Sequence, residues 1–165
     1  MKIHEFLSTF KIRSIDMNIH DLCEEFISEM EKGNNGEESS LRMIPTYIEA
    51  DNAFEKNKTV LTIDAGCTNF RAALMSFDKE GRLKIGDTLI KRMPGLDDEI
   101  SKDVFFQTIL NYIKPLAEKA QGIGFCFSYP TEIFPDKDGR LIQFCKEIKA
   151  HEVVGQFIGK IYLNH

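Results

Sequence analysis

Leu61-Thr62-Ile63-Asp64-Ala65-Gly66-Cys67-Thr68-Asn69-Phe70-Arg71, continuing into Ala72-Ala73-Leu74-Met75, is the stretch whose reading decides the fold. An apolar, β-rich entry ends at Asp64, turns through Gly66 and small polar residues, and leaves as a second apolar run. That is the pattern of a β-hairpin whose turn can hold phosphate. Glycine lets the backbone approach a ligand closely, while turn N–H groups and the Thr68 hydroxyl supply donors. A carboxylate such as Asp64 can hold a hydrated metal. The other common phosphate loop runs from strand into helix and carries a Lys-Ser/Thr pair; neither feature is present here. On residue pattern alone, an ordinary hairpin turn carrying Asn69-Phe70-Arg71 stays open as the alternative.

Working outward, the strand period begins at Lys58. Thr59 to Ile63 and Phe70 to Phe77 are predicted to pair across the turn. Asp78-Lys79-Glu80-Gly81 then makes a hairpin loop into a third strand, Leu83 to Ile90. Ser101 is the expected N-cap of a helix reaching about Lys119, with Val104, Phe105, Thr108, Ile109, Tyr112, Ile113 and Leu116 on its buried face. Pro115 is the one local conflict and is expected to bend or shorten that helix. Gln121-Gly122-Ile123-Gly124 opens a buried strand, Ile123 to Ser128. Upstream, residues 3 to 32 read as helical: Ile3, Phe6, Leu7 and Phe10 share a face, and Ile19, Leu22, Cys23, Phe26, Ile27 and Met30 continue at three-to-four spacing. Asp16 is the expected cap of the second helix, and Gly33 with Asn34-Asn35-Gly36 its end. The sequence carries no internal repeat.

The 165 residues suit one domain, or one small domain with an appendage. A hydrophobic share of 42% beside 28% charged residues describes a soluble globular chain, not a disordered one. The net charge of −5, without a Lys/Arg block, argues against a nucleic-acid surface; nucleotide binding needs only a few placed donors. Cysteines at 23, 67, 126 and 145 have no metal-site spacing, so reduced thiols and a cytoplasmic location are expected. No apolar signal core is present at the N-terminus, and no segment approaches the roughly 20 apolar residues of a membrane span. The four His are scattered and read as surface or satisfied positions. Asp136-Lys137-Asp138-Gly139 lacks the further acidic residues of a calcium loop and reads as a plain turn.

Asp64-Ala-Gly-Cys-Thr-Asn-Phe-Arg71 resembles the first phosphate motif of the hexokinases, members of the actin-like ATPase superfamily. The family pattern is Asp-x-Gly-Gly-Thr-Asn-Phe-Arg, so Cys67 stands where a second Gly is usual. Gly124-Phe-Cys-Phe127-Ser128-Tyr129-Pro130 resembles the family's Gly-Phe-x-Phe-Ser-Phe/Tyr-Pro strand end that faces the sugar. Phe144-Cys145-Lys146-Glu-Ile-Lys149-Ala150 is similar to the Trp-Thr-Lys-Gly-Phe-Lys-Ala segment, with Cys145 replacing Thr. Phe26-Ile-Ser-Glu29-Met30-Glu-Lys-Gly33 and Met43-Ile44-Pro45-Thr46-Tyr47 match two further runs, so the resemblance covers nearly the whole chain in family order.

The resemblance implies an α/β fold: a ribonuclease H-like small domain with a mixed sheet and flanking helices. It would occupy residues 51–165, after an N-terminal helical segment over 1–50. It implies ATP and Mg²⁺ as cofactors and glucose or a similar hexose as substrate, phosphorylated at the 6-hydroxyl. Asp64 would lie near phosphates and, through water, the metal. Gly66, Cys67, Thr68 and Asn69 would form the phosphate turn, and Arg71 would steady it or meet phosphate charge. Ser128, Tyr129, Pro130, Cys145 and Lys146 would line the hexose; on spacing alone Ser128 could simply end a strand and Lys146 could be a solvated charge. The family's general base is the Asp of an Asn-Asp-x-Val/Thr-Gly strand, and that pattern is absent here: Asn164 is followed by His165. The chain alone is therefore expected to be catalytically incomplete, lacking the large domain with its adenosine site. The alternative is a non-catalytic, hexokinase-like sugar-binding or interaction protein. Apolar faces of the N-terminal helices left without a partner would favour self-association.

Overall fold

Residues 1–45 form one unit, whose described elements are α1 (Ile3–Thr9), a 3-10 turn at Ser14–Asp16 and α2 (Ile19–Asn34). The structure, a computed structural model, describes residues 2–49, 55–144 and 147–159. Asn18, not Asp16, caps α2: its side chain accepts from the His20 N–H at 3.0 Å. Asp16 is engaged by Arg13, whose guanidinium donates to both carboxylate oxygens at 2.6 and 2.7 Å and holds the carboxyl below its usual range. Gly33 lies inside the helix instead of ending it. A Cβ there would fall 1.7 Å from the Leu41 carbonyl oxygen, so the returning chain needs its bare backbone. Gly36, at φ +77°, takes the terminating position. Neither helix buries a residue, and Ile19, Leu22, Phe26 and Ile27 of α2 are exposed.

The return of the chain is fixed at Glu29. Its carboxylate accepts from the Ser40 N–H at 2.8 Å, both serine hydroxyls at 3.0 Å and Lys32 at 2.7 Å. These donors, Lys32 first, bring its pKa down to about 2.

Residues 46–165 form the second unit. Its sheet contains β1 (Val60–Ala65), β2 (Asn69–Phe77), β3 (Leu83–Arg92) and, after α3 (Lys102–Ala117), β4 (Ile123–Phe127), in the order β3-β2-β1-β4. β1 pairs antiparallel with β2 from Val60↔Met75 to Ala65↔Phe70, and parallel with β4 from Leu61↔Ile123 to Ala65↔Phe127. Alternation does the sorting: Leu61, Ile63 and Ala65 on β1 and Phe70, Ala72 and Leu74 on β2 turn inward, while Thr62, Asp64, Arg71 and Ala73 take the other face. Ser101 caps α3 by accepting from the Val104 N–H at 3.3 Å. The helix ends at Ala117, two residues past Pro115, short of the expected Lys119. It covers the inward sheet face with Phe105, Phe106, Ile109, Ile113 and Leu116, each burial stabilising by about 1.5–3 kcal/mol. Val104 is exposed and Phe106 takes its expected place.

β4 also departs from expectation. Its apolar run read as a buried strand, yet Ile123, Gly124 and Cys126 are exposed, because β4 lies at the end of the sheet with only β1 beside it. Phe125 and Phe127 alone lean into the core. A second, two-stranded sheet, β5 (Thr131–Ile133) with β6 (Gly139–Leu141), was not foreseen. Its connection holds the turn at Asp136–Gly139, with Lys137 at φ +65°. Asp138, nearly buried, accepts from the N–H groups of Gly139 at 2.7 Å and Gly159 at 2.6 Å. Among the described residues no helix is long and apolar enough to cross a membrane.

Candidate functional site

Because β1 and β4 are parallel neighbours, both reach the same sheet end at their carboxyl termini. That is the end at which open α/β sheets bind ligands. The turn Gly66–Asn69 leaves β1 there, and Ser128-Tyr129-Pro130 leaves β4 beside it. One hydrogen bond closes the turn, and two tie the β4 end to β1 and the turn. The Gly66 N–H donates across the turn to the Asn69 carbonyl at 3.0 Å, the Ser128 N–H to the Ala65 carbonyl at 3.1 Å, and the Tyr129 hydroxyl to the Gly66 carbonyl at 2.9 Å. From the far side, the Met93 N–H donates to the Thr68 carbonyl at 2.9 Å.

Among the described residues no acceptor takes the N–H of Cys67 or of Thr68. Cys67 is half-buried and Thr68 exposed. Consecutive unpaired turn N–H groups, with the Thr68 hydroxyl, make an anion-accepting donor set. Cys67 does not strain this turn, since it is absent from the residues with positive φ. At Gly66 the turn is close-packed: a Cβ there would lie 3.3 Å from the Asn69 carbonyl oxygen, a tight contact that a small shift must relieve.

Asp64 and Arg71 sit opposite each other in the β1–β2 register, with Arg71 Nη1 3.1 Å from Asp64 Oδ2 and both side chains about half exposed. They border a depression of about 540 Å³ on the outer sheet face, otherwise lined mainly by Ala73, Met75, Ile85 and Ile90. A single half-exposed carboxylate fits a Mg²⁺ ion that keeps most of its waters and takes its other ligands from phosphate.

Of the expected sugar-side residues, Ser128 is exposed and Pro130 half-buried, its carbonyl accepting from the Ile142 N–H at 2.9 Å. Tyr129 is buried. Cys145 and Lys146 lie outside the described residues. Their flanks are anchored: Phe144 meets Tyr129 edge-on at 5.0 Å, and Ile148 and Ala150 are buried. Lys149 donates from its N–H to Gly95 at 2.7 Å and from Nζ to the Asp97 carbonyl at 2.9 Å. The segment Met93-Pro94-Gly95, which supports both the turn and the 147–150 stretch, escaped the sequence reading although its Pro-Gly pair marks a turn. In the 1–45 unit His20 is not isolated: its Nδ1 lies 3.4 Å from Glu24, on an exposed helix face that also carries Asp21.

A family model described as hexokinase matches residues 2–165. Hexokinase-3 of Rattus norvegicus is 32% identical over 141 residues, covering 81% of this chain and 15% of the relative. Hexokinase-1 of Schizosaccharomyces pombe is 27% identical over 150 residues, covering 87% of this chain and 31% of that protein. The chain thus spans a third or less of the length of these curated relatives. A hexokinase structure from Schistosoma mansoni complexed with glucose aligns with 90% of this chain and 36% of its own, at TM-score 0.61 and 21% identity. Another hexokinase crystal structure aligns with 87% of this chain and 38% of its own, at TM-score 0.69 and 21% identity. These structural likenesses speak for a shared fold.

Proposed function

Since the chain belongs to the hexokinase family, we propose that it supplies the phosphate turn and one wall of the sugar site for ATP-dependent phosphorylation of a hexose at its 6-hydroxyl. The observation that carries this reading is the pair of unpaired N–H groups at Cys67 and Thr68, set beside Asp64 and next to the Ser128 strand end. In this reading the turn N–H groups and the Thr68 hydroxyl hold the transferred phosphoryl group. Asp64 would hold Mg²⁺ through water, and the bound ion would offset phosphate charge. Arg71 keeps the Asp64 carboxylate in place. Ser128 and Lys146 hydrogen-bond the hexose, while Tyr129 and Pro130 shape the wall. Cys145, a weak donor and acceptor, gives one sugar contact weaker by about 1 kcal/mol than a Thr would.

On this reading the general base for the sugar hydroxyl is not among residues 1–165, which carry no Asn-Asp-x-Val/Thr-Gly segment, and this stretch assayed alone is expected to bind hexose without turnover. A cytoplasmic setting accords with its thiols. Purified chain with glucose, Mg²⁺ and ATP, followed for glucose 6-phosphate and compared with Asp64→Ala, tests the account. Saturable glucose binding without turnover is the expected result. Turnover that Asp64→Ala abolishes would mean that a base is present among these residues. A second reading, an interaction protein of hexokinase descent, is favoured by the exposed Ile19, Phe26 and Ile27 of α2. It calls for self-association with no glucose binding, and light scattering together with a glucose titration separates the two.

A further inference from the structure

Tyr129 is held more firmly than lining a sugar site requires. It is 6% exposed, its ring lies 4.7 Å from Phe127 and 5.0 Å from Phe144 between centroids, and its hydroxyl donates to the Gly66 carbonyl at 2.9 Å. The Gly66 carbonyl belongs to the same peptide unit as the Cys67 N–H. That unit is trans, so its C=O and N–H point in opposite directions. Fixing the carbonyl on Tyr129 therefore fixes the direction in which Cys67 presents its N–H. A hydrogen bond accepted by the carbonyl also polarises the peptide and strengthens the N–H as a donor.

We infer that Tyr129 is a positioning residue that sets the anion-binding N–H of the phosphate turn and couples it to the sugar-side strand end. The inference rests on the reading of the site given above. Ser128 and Pro130 are its chain neighbours, and Phe144, next to the Cys145-Lys146 pair in sequence, packs against its ring. A sugar that engages this wall thus moves the group that orients the turn. Met93 holds the Thr68 carbonyl from the other side, so within the turn the orientation of the Gly66–Cys67 peptide follows Tyr129. The hydroxyl is the decisive atom. Phenylalanine at 129 keeps the ring packing and loses the orienting bond.

The test uses the full ¹⁵N-labelled chain and Tyr129→Phe, with inorganic phosphate and glucose as probes. Expected for the wild type are saturable phosphate shifts at the Cys67 amide and a change in that same resonance when glucose is added. In Tyr129→Phe, phosphate affinity falls about fivefold, the size set by losing one ordinary hydrogen bond. Glucose then no longer moves the Cys67 resonance. Hydrogen exchange of the β1 and β2 amides stays as in the wild type, which sets aside general destabilisation. Unchanged phosphate affinity together with an unchanged glucose response at Cys67 in the variant overturns the inference and leaves the site reading intact. A wild type that binds neither probe overturns both.

Discussion

Asp64 and Arg71 face each other across β1 and β2, with Oδ2 and Nη1 3.1 Å apart and each side chain about half exposed. An ion pair this open to water contributes between zero and about 1 kcal/mol to stability. Its placement beside the Gly66–Asn69 turn, not its strength, is what matters to the proposed function. Asp64→Asn should leave the free energy of unfolding within about 1 kcal/mol of wild type. It should remove the Mg²⁺ dependence of nucleotide binding, as read by calorimetric titration of ATP with and without the ion. Unaltered Mg²⁺ dependence would remove Asp64 from the metal role.

Cys67 occupies a turn position with no positive φ, so restoring the family's glycine relieves no strain. Cys67→Gly should destabilise the chain by about 0.4–1 kcal/mol through added freedom of the unfolded state. Its phosphate affinity should stay close to that of the wild type. Denaturant unfolding and a phosphate titration measure the two, and a large gain in affinity would show that the thiol crowds the site.

Gly95 adopts φ +84°, and a Cβ there would meet Ile148 Cγ2 and the Lys149 nitrogen, both at 3.4 Å. Gly95→Ala should cost about 1–2 kcal/mol from the left-handed backbone alone. It should also loosen the segment beside the Lys146 position. Faster amide exchange at Ile148–Ala150, with β1 exchange unchanged, is the expected signature.

Glu29 titrates at about 2 when folded, against an ordinary 4.5, because Lys32, Ser40 and Ser39 all donate to its carboxylate. A depressed carboxyl pKa stabilises the fold above the unfolded pKa and withdraws that support as pH falls through the folded one. The hold of α2 on Ser39-Ser40 should therefore be complete above pH 4.5 and fade towards pH 2. The Ser40 amide resonance followed through an acid titration reports this directly, and Glu29→Gln should abolish the transition.

The hairpin was legible because alternation from Leu61 onwards and a glycine at 66 both point to one geometry, and the strand ends moved by only a residue or two. The cap at α2 was misassigned between two cap-type residues, since nothing in residue identity says that Arg13 will claim Asp16. The face of α3 was legible at Phe105, Ile109, Ile113 and Leu116, which three-to-four spacing places together and the fold buries; Val104 departs from it, standing outward while Phe106 is buried. The exposure of β4 could not be read from its apolar run, which looks alike in the middle of a sheet and at its edge. Met93-Pro94-Gly95 has no periodicity to notice, and its role emerges only when β3 delivers it beneath the turn. The turn after β1 and the strand end after β4 were both legible in the sequence as elements. What joins them, the Tyr129 hydroxyl on the Gly66 carbonyl, is a contact between residues far apart along the chain.

The central claim is that the Cys67 and Thr68 N–H groups hold phosphate. Following their amide resonances while Mg²⁺-ATP is added to the ¹⁵N-labelled chain tests it most directly. Saturable shifts centred on residues 66–69, weakened in Asp64→Ala, are the result this account predicts. Saturable binding whose shifts fall elsewhere and spare Cys67 and Thr68, or no binding at millimolar nucleotide, would contradict it.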